Sequence, residues 1–462
     1  MAQSKAKRGP DQARLAAVKV IRQVTGEKAF SNESAAWHLS APELDERDRA
    51  FASALIFGTL SQLPLIDTDL ARISSRPLDR LDPWVLAILR MGVWQLYFSY
   101  QATAAAACDE SVRLARFLAG EKVTGFVNGI LRNLARKRPL HEGEEKDYLE
   151  AGLTAELYGL LKSWYGRETA LALGHASLEA PDYLAIRPNA CREDEFHTWL
   201  QSEEAARFQA QPLSWPPGAY SLKPGGHSVT GTQGYLEGLY TVQSQAAMTA
   251  CLLAGVSPKD RILDLCAAPG GKTGHLAELL GCQGQLTAFD LSAERVVLLE
   301  ATLERLGHNF VDTRPQDATR LGPELSGAFD LVVCDVPCSG LGLLQKRPEI
   351  RSRVTRASID RLKTLQQSIL TEAARTLAPE GRLLYTSCTV NPEENEEQVK
   401  GFLASEEGRG FQLDSLEDEL RQVMGEAAEL PLSARLPGTV LFLPHRDGTD
   451  GFYIARIRRR PL

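Results

Sequence analysis

The chain is predicted to be multidomain, with an all-α N-terminal bundle, a small α+β module and an α/β domain built on a parallel sheet. Three observations predict this. At 462 residues the chain exceeds one ordinary domain and has material for two or three, each able to bury a core. From about residue 10 to 138 apolar residues recur with a helical period and little strand signal. From Leu236 onward strand-like runs alternate with helical ones, the pattern of a parallel sheet covered by helices. The expected divisions are 1–140, 141–235 and 236–462.

Within the bundle, Asp82 followed by Pro83 reads as an N-cap and a first-turn proline, opening a helix that runs through Met91, Trp94 and Leu96. This helix is apolar on nearly all sides and is expected at the bundle centre. A last helix over 123–138 ends in Arg132, Arg136, Lys137 and Arg138, after which the charge sign flips across 142–147 and marks a boundary. The middle module is expected to hold a helix over 153–173, a strand over 183–187 and a helix from Glu193, followed by Pro- and Gly-rich loops. The last region should place strands at 261–265, 285–290, 329–335 and 381–386, with a weaker one before Gln316 and a closing antiparallel hairpin from 440–442 and 451–456.

Composition narrows the class. With 44% apolar and 24% charged residues the chain reads as a soluble globular protein. No apolar run reaches the roughly 18 residues of a membrane span, and the basic start at 4–8 lacks the apolar core of a signal peptide, so a cytoplasmic location without a membrane partner is expected. Eight cysteines are too sparse for a disulfide framework and form no zinc-type clusters, so reduced thiols and no metal are expected. The net charge of −7 conceals a local +5 between Lys346 and Lys363, seven basic residues against two acidic.

The most informative stretch is the turn Ile262-Leu-Asp-Leu-Cys-Ala-Ala-Pro-Gly-Gly-Lys-Thr273. Its Gly-Lys-Thr ending is no phosphate loop, because that motif needs glycine where Cys266 stands, and the dinucleotide fingerprint is also absent. A tight turn at a helix N-terminus still presents backbone amides to an anion. Cys266, Ala267, Ala268, Pro269, Gly270, Gly271 and Lys272 are therefore candidate contacts to a carboxylate. Asp290 ends the next strand, where an acidic side chain accepts from a ribose diol, and Asp317 is placed for an adenine amino group. Carboxylate, ribose and adenine together describe S-adenosylmethionine. Taken singly, Asp264, Asp290 and Asp317 read equally well as turn residues at strand ends.

Two further strands end in Asp335-Val-Pro-Cys-Ser-Gly340 and Tyr385-Thr-Ser-Cys388. Carbon 5 of a pyrimidine is a poor nucleophile, and its methylation needs a thiolate to add at carbon 6. Asp335 is the candidate for stabilising ring nitrogen 3 during that addition, and it is also a candidate cofactor contact. Cys338 or an ordered water can then assist removal of the carbon 5 proton. Pro337 is followed by a cysteine, not by the aromatic that exocyclic-amine methyltransferases use to stack a base. Cys108, Cys191, Cys251, Cys266, Cys282 and Cys334 read as small buried apolar residues.

In order along the chain, 263–273, 335–340, Ser387-Cys388 with Asn391-Pro-Glu-Glu-Asn395, and Asp450-Gly-Phe452 resemble the motifs of the Sun-type RNA cytosine-5 methyltransferases. The resemblance implies a Rossmann-like, S-adenosylmethionine-dependent catalytic domain in which Cys388 is the nucleophile and Cys338 assists product release. DNA cytosine-5 methyltransferases use the Pro-Cys cysteine as nucleophile instead. The helical part, through Asn128-Gly-Ile-Leu-Arg132, Gly125-Phe-Val127 and Asp109-Glu-Ser-Val112, resembles the NusB-like RNA-binding domain. That fusion implies the branch acting on a cytosine of 16S ribosomal RNA. One departure is Ser244 in Val242-Gln-Ser-Gln245, where the family carries Asp.

Arg132 and Arg136, with Arg347 and Arg351, are the candidate phosphate contacts. The target base must be unpaired or flipped to reach a thiolate, which favours a single-stranded or pre-assembly region, bound by a monomer. Two other readings stand beside this one. The first is a cytosine-5 methyltransferase of transfer RNA or another ribosomal site, and the second is a non-catalytic RNA-binding assembly factor.

Overall fold

The structure, a computed structural model, describes residues 9–99, 103–225 and 227–460, so the basic start at 4–8 lies outside the described residues. It divides into two compact units, one reaching to Ala180 and including Leu344–Arg353, the other comprising Pro181–Leu343 and Val354–Leu462. No single helix among the described residues is long and apolar enough to cross a membrane.

The first unit opens with helices Gln12–Gly26, Ser31–Leu39, Glu46–Ser61, Leu63–Ile73, Pro83–Phe98, Ala104–Ala119 and Thr124–Arg136. The Asp82 carboxylate accepts from the amides of Trp84 and Val85 at 2.9 and 3.2 Å, capping the helix as its sequence predicts. That helix packs against five of the other six, and Val85, Ile88, Leu89, Met91 and Val93 lie in the core. Helix Thr124–Arg136 buries Val127, Ile130, Leu131 and Leu134, which turns Arg132 and Arg136 to solvent. Helices Gly143–Glu150 and Ala155–Ala176 complete the local part of the unit.

The remaining piece, Leu344–Arg353, comes from far along the chain. Its Glu349 carboxylate accepts from the Ser31 amide, and its Arg353 donates to the carbonyls of Val24 and Ala29. Arg351, only 1% exposed, donates to the Leu344 carbonyl and to both the carbonyl and hydroxyl of Ser177. This corrects the expectation that Arg351 contacts RNA: a guanidinium removed from solvent and aimed at internal oxygens is not available to a phosphate. Arg347 is half-buried, with its guanidinium 5.4 Å from the centre of the Phe30 ring.

The second unit holds two sheets. Strands β1 (Leu184–Pro188), β2 (Gln211–Pro212), β3 (Tyr220–Leu222) and β4 (Tyr240–Val242) form an antiparallel sheet in the order β2-β3-β1-β4. The interval 141–235 is thus shared between the units, its helices to Ala176 in the first and its strands in the second. Ser244 caps helix Gln245–Leu252 by accepting from the Ala247 amide, a task Ser and Asp perform about equally well.

The larger sheet comprises β5 (Arg261–Asp264), β6 (Gln285–Asp290), β7 (Asp312–Pro315), β8 (Phe329–Asp335), β9 (Leu377–Ser387), β10 (Phe411–Asp414), β11 (Val440–Phe442) and β12 (Phe452–Arg459). Its order is β10-β12-β9-β8-β5-β6-β7, with β11 also on β12. Strands β5 to β9 pair in parallel, and β12 runs antiparallel to β9, β10 and β11. Ile262, Leu263, Leu331, Val332, Leu383 and Leu384 are fully buried, as expected for parallel strands covered on both faces. Asp264, Asp290, Asp335 and Ser387 end their strands at the same edge, the carboxyl edge where open α/β sheets bind ligands.

A disulfide joins Cys191 to Cys282, with Cα atoms 6.0 Å apart and a sequence separation of 91. This corrects the expectation of wholly reduced thiols. Local spacing held no sign of it, because the pairing depends on packing between distant segments.

Candidate active site

After β5 the chain bends through residues 266–270 and enters helix Gly271–Leu279. Gly270 makes the bend with φ +107°, and a Cβ there would lie 3.0 Å from a Leu299 methyl, so glycine serves both turn and packing. The Ala267 amide donates to the Phe289 carbonyl of β6, which fastens the loop to the sheet. Asp290 is fixed beneath the same loop: its carboxylate accepts from the amides of Ala268 and Ser292 and lies 3.3 Å from Arg295. Asp317 accepts from the amide and hydroxyl of Thr319, which hold its carboxyl below the usual range.

Asp264, for which the sequence leaves ligand contact and turn residue both open, lies at the end of β5. One carboxylate oxygen accepts from the Thr273 hydroxyl at 2.8 Å, while the other is buried without a partner. Burial pushes its carboxyl up to about 7, against the Thr273 bond that favours the charged form. An orphaned buried acceptor beside open helix amides fits a ligand carrying an ammonium and a carboxylate, the amino-acid end of S-adenosylmethionine.

Across the edge, Lys272 donates to Asp335 at 2.7 Å, and the Thr386 hydroxyl donates to the other Asp335 oxygen at 2.9 Å. The Lys272 ammonium also lies 5.0 Å from the centre of the Phe452 ring. Burial opposes the ammonium, but the charge and hydrogen bond of Asp335 outweigh it and raise the Lys272 pKa.

The Sγ atoms of Cys338 and Cys388 are 3.3 Å apart, and both side chains are half-buried. Backbone contacts join the loops that carry them. The Gly342 amide donates to the Cys388 carbonyl, and the Gly451 amide donates to the Gly342 carbonyl, each at 3.0 Å. A Cβ on Gly451 would lie 2.6 Å from the Gly342 Cα, which explains the glycine in Asp450-Gly-Phe452 as a close approach of two backbones. The fold thus brings Asp335, Cys338, Lys272 and Cys388 to one edge of the sheet. Arg132, Arg136, Arg347 and Arg351 lie in the other unit. The sequence assigned no role to Thr386 or Glu394. Glu394, which stands in the Asn391–Asn395 motif with no role of its own, is fully buried; the asparagines on either side of its motif were the signal available.

The other thiols vary. Cys108, Cys251 and Cys334 are buried, and burial pushes the Cys251 thiol up to about 12. Cys266 is half-buried at the turn.

Comparisons with known proteins place this geometry in a family. The family model for the 16S rRNA methyltransferase RsmB/F matches residues 250–458, and the NusB family model matches residues 11–136. The chain is 31% identical to the ribosomal RNA small subunit methyltransferase B of Pseudomonas syringae pv. tomato over 96% of both chains. It is 28% identical to the probable ribosomal RNA small subunit methyltransferase B of Bacillus subtilis, over 96% of this chain and 98% of that one. Among solved structures it resembles PH0851, with TM-score 0.82 and 25% identity over 98% of this chain and all of that one. It shares the fold of NSun6 from Pyrococcus horikoshii, solved with SFG, at TM-score 0.59 and 21% identity over 68% of this chain and 99% of that one. The chain belongs to the RsmB/F family of 16S rRNA methyltransferases, S-adenosylmethionine-dependent enzymes, and carries a NusB-family domain at its N-terminal end.

Proposed function

We propose that this enzyme methylates carbon 5 of one cytosine in 16S ribosomal RNA through a covalent adduct with Cys388. The observation that carries the reading is the cluster itself: two sulfurs 3.3 Å apart beside a Lys272–Asp335 ion pair at the carboxyl edge of the sheet.

Residues 266–272, with Asp264, Asp290 and Asp317, would hold S-adenosylmethionine, which supplies an electrophilic methyl group. The chain's own groups prepare the acceptor. Cys388, as thiolate, adds to carbon 6 of the cytosine and shifts an electron pair toward carbon 5. Ring nitrogen 3 gains a hydrogen bond from the proton shared between Lys272 and Asp335, which offsets the charge that addition creates. Once carbon 5 is methylated, its proton passes to an ordered water, the electron pair of that C–H bond restores the carbon 5–carbon 6 double bond, and Cys388 leaves as thiolate with the pair of the carbon 6–sulfur bond. Cys338 lies within contact of the departing sulfur and assists that release. The exposed Arg132 and Arg136 and the half-buried Arg347 contact phosphates of an unpaired region, and the enzyme works as a cytoplasmic monomer.

The test is transfer from labelled S-adenosylmethionine to unmodified 16S and transfer RNA, with the product nucleoside identified by mass spectrometry. Labelled 5-methylcytosine at a single 16S site is expected. Transfer RNA as the better acceptor would overturn the substrate, and another methylated nucleoside would overturn the chemistry. Cys388→Ala should lower turnover roughly 10⁴-fold or more and abolish covalent capture, whereas Cys338→Ala should accumulate the protein–RNA adduct on a denaturing gel.

A further inference from the structure

Beyond Cys388 the chain runs through Asn391-Pro-Glu-Glu-Asn395 into helix Glu396–Ala404. Two adjacent glutamates in this run have opposite fates. Glu393 binds Arg356 and Lys363 at 2.6 and 2.7 Å, and those cations hold its carboxyl down at about 2. Glu394 is 0% exposed and accepts only from neutral donors. The Ser339 amide and the Gln366 amide nitrogen reach one oxygen, each at 2.9 Å. The Asn391 amide nitrogen at 2.9 Å and the Ser339 hydroxyl reach the other. Four hydrogen bonds from neutral groups thus converge on its two oxygens.

These donors come from the loops around the sulfurs. Ser339 follows Cys338 directly, and its hydroxyl also lies 2.8 Å from that of Thr389, the residue after Cys388. Gln366 donates to the Pro337 carbonyl on the other side of Cys338. Tyr385, on the strand leading to Cys388, donates to the Glu394 carbonyl at 2.6 Å. A neutral side chain could fasten loops without the desolvation penalty of a buried charge. A carboxylate additionally places negative charge one residue from Cys338.

We propose that Glu394 is a positioning residue that divides the labour between the two sulfurs: its carboxylate fastens the Pro-Cys loop and, as a buried charge with no cation among its donors, keeps the proton on Cys338, leaving Cys388 to attack. The inference rests on the covalent mechanism proposed above. It accords with the Cys338 thiol being pushed well up by its hydrogen bond to Cys388, by burial, by the charge of Cys388 and by Glu394. A Cys338 that retains its proton can direct its S–H toward Cys388 Sγ, 3.3 Å away.

The test uses the full chain, and its first arm requires neither RNA nor cofactor turnover. Iodoacetamide alkylation of Cys338 and Cys388 is followed against pH, with each site resolved by peptide mass spectrometry. In the wild type Cys388 should react at lower pH than Cys338. In Glu394→Gln the Cys338 midpoint should fall by about one pH unit or more, a shift typical of losing a neighbouring like charge. Ser339→Ala, which removes a clamp but keeps the charge, should leave the Cys338 midpoint in place. Turnover of Glu394→Gln should fall about tenfold or more with the KM for RNA unchanged, matching a one-unit change in which sulfur ionises.

An unmoved Cys338 midpoint in a Glu394→Gln protein that keeps its melting temperature and cofactor affinity would overturn the proposal. If that variant fails to fold, the wild-type order decides, because Cys338 reacting first would also sink the idea. Failure of the substrate assignment would leave the alkylation order intact, so the two readings fail separately.

Discussion

Asp264 and Asp335 end neighbouring parallel strands, yet their surroundings leave them in opposite conditions. Asp335 has an ammonium on one oxygen and a hydroxyl on the other, and its side chain is 29% exposed. Asp264 has a single hydroxyl and a bare oxygen, with 1% of the residue exposed. The same residue type at the same edge of the sheet, two positions apart in register, is thus a completed ion pair in one strand and an unsatisfied acid in the next. Donors aimed at a carboxylate, more than its place on the strand, decide its state. Asp335 stands ready for proton sharing with a substrate, whereas Asp264 keeps acceptor capacity for a ligand that brings its own positive charge.

The largest effect should come from the completed pair. Asp335→Asn should lower turnover by roughly 10²–10⁴-fold, the usual reach of a positioned proton donor or acceptor, while calorimetry shows cofactor affinity nearly unchanged. A matching loss of cofactor affinity would erase the contrast between the two aspartates.

Asp264→Asn should do the reverse. Cofactor affinity should fall about 10- to 100-fold, the equivalent of one charge-assisted hydrogen bond of about 1.5–3 kcal/mol, with turnover at saturating cofactor changed only a few-fold. Its pH signature follows from linkage. The carboxyl lies at about 7 in the folded protein against 3.8 for the ordinary group, so the folded state holds more protons between those values. The associated stability is fully present below about pH 4 and is lost as pH rises through about 7. Thermal melts of the cofactor-free protein should therefore show this decline, and Asp264→Asn should flatten it. An ammonium arriving at Asp264 favours the ionised form, so cofactor binding near pH 6 should release protons. Titrations in two buffers of different ionisation heat should reveal that release in the wild type but not in the variant.

Thr386→Val should be mildest. It removes one hydrogen bond to Asp335, worth about 0.5–1.5 kcal/mol, and should slow turnover only about 2- to 12-fold. A loss as large as that of Asp335→Asn would mean that Thr386, rather than Lys272, holds the pair in order.

Much of this was legible in the sequence because it is local. The turn at 262–273, the four main parallel strands, the closing hairpin and the capped helix after Asp82 each announce themselves within a dozen residues. The cysteines and Asp335 were legible for the same reason, since each follows or ends an apolar strand. What escaped depends on partners distant in sequence. Glu394 stands in the Asn391–Asn395 motif without a role of its own, and only the arrival of Ser339 and Gln366 makes it a buried hub. The basic stretch from Lys346 looked like one surface, but folding disperses it. Arg351 and Arg353 bond within the first unit, while Arg356 and Lys363 neutralise Glu393 in the second. Cys191 and Cys282 carried no local mark of their pairing.

The excursion of Leu344–Arg353 into the first unit bears on heredity. A gene segment ending near Ala180 would encode that unit without Glu349, Arg351 and Arg353, leaving the Ser31 amide and the carbonyls of Val24, Ala29 and Ser177 without the partners they have here. Exchange of this helical unit between genes by a single crossover would therefore separate the two halves of one packing arrangement. Drift in either stretch has to be answered by change in the other, so the helical and catalytic regions should descend together as one linked inheritance.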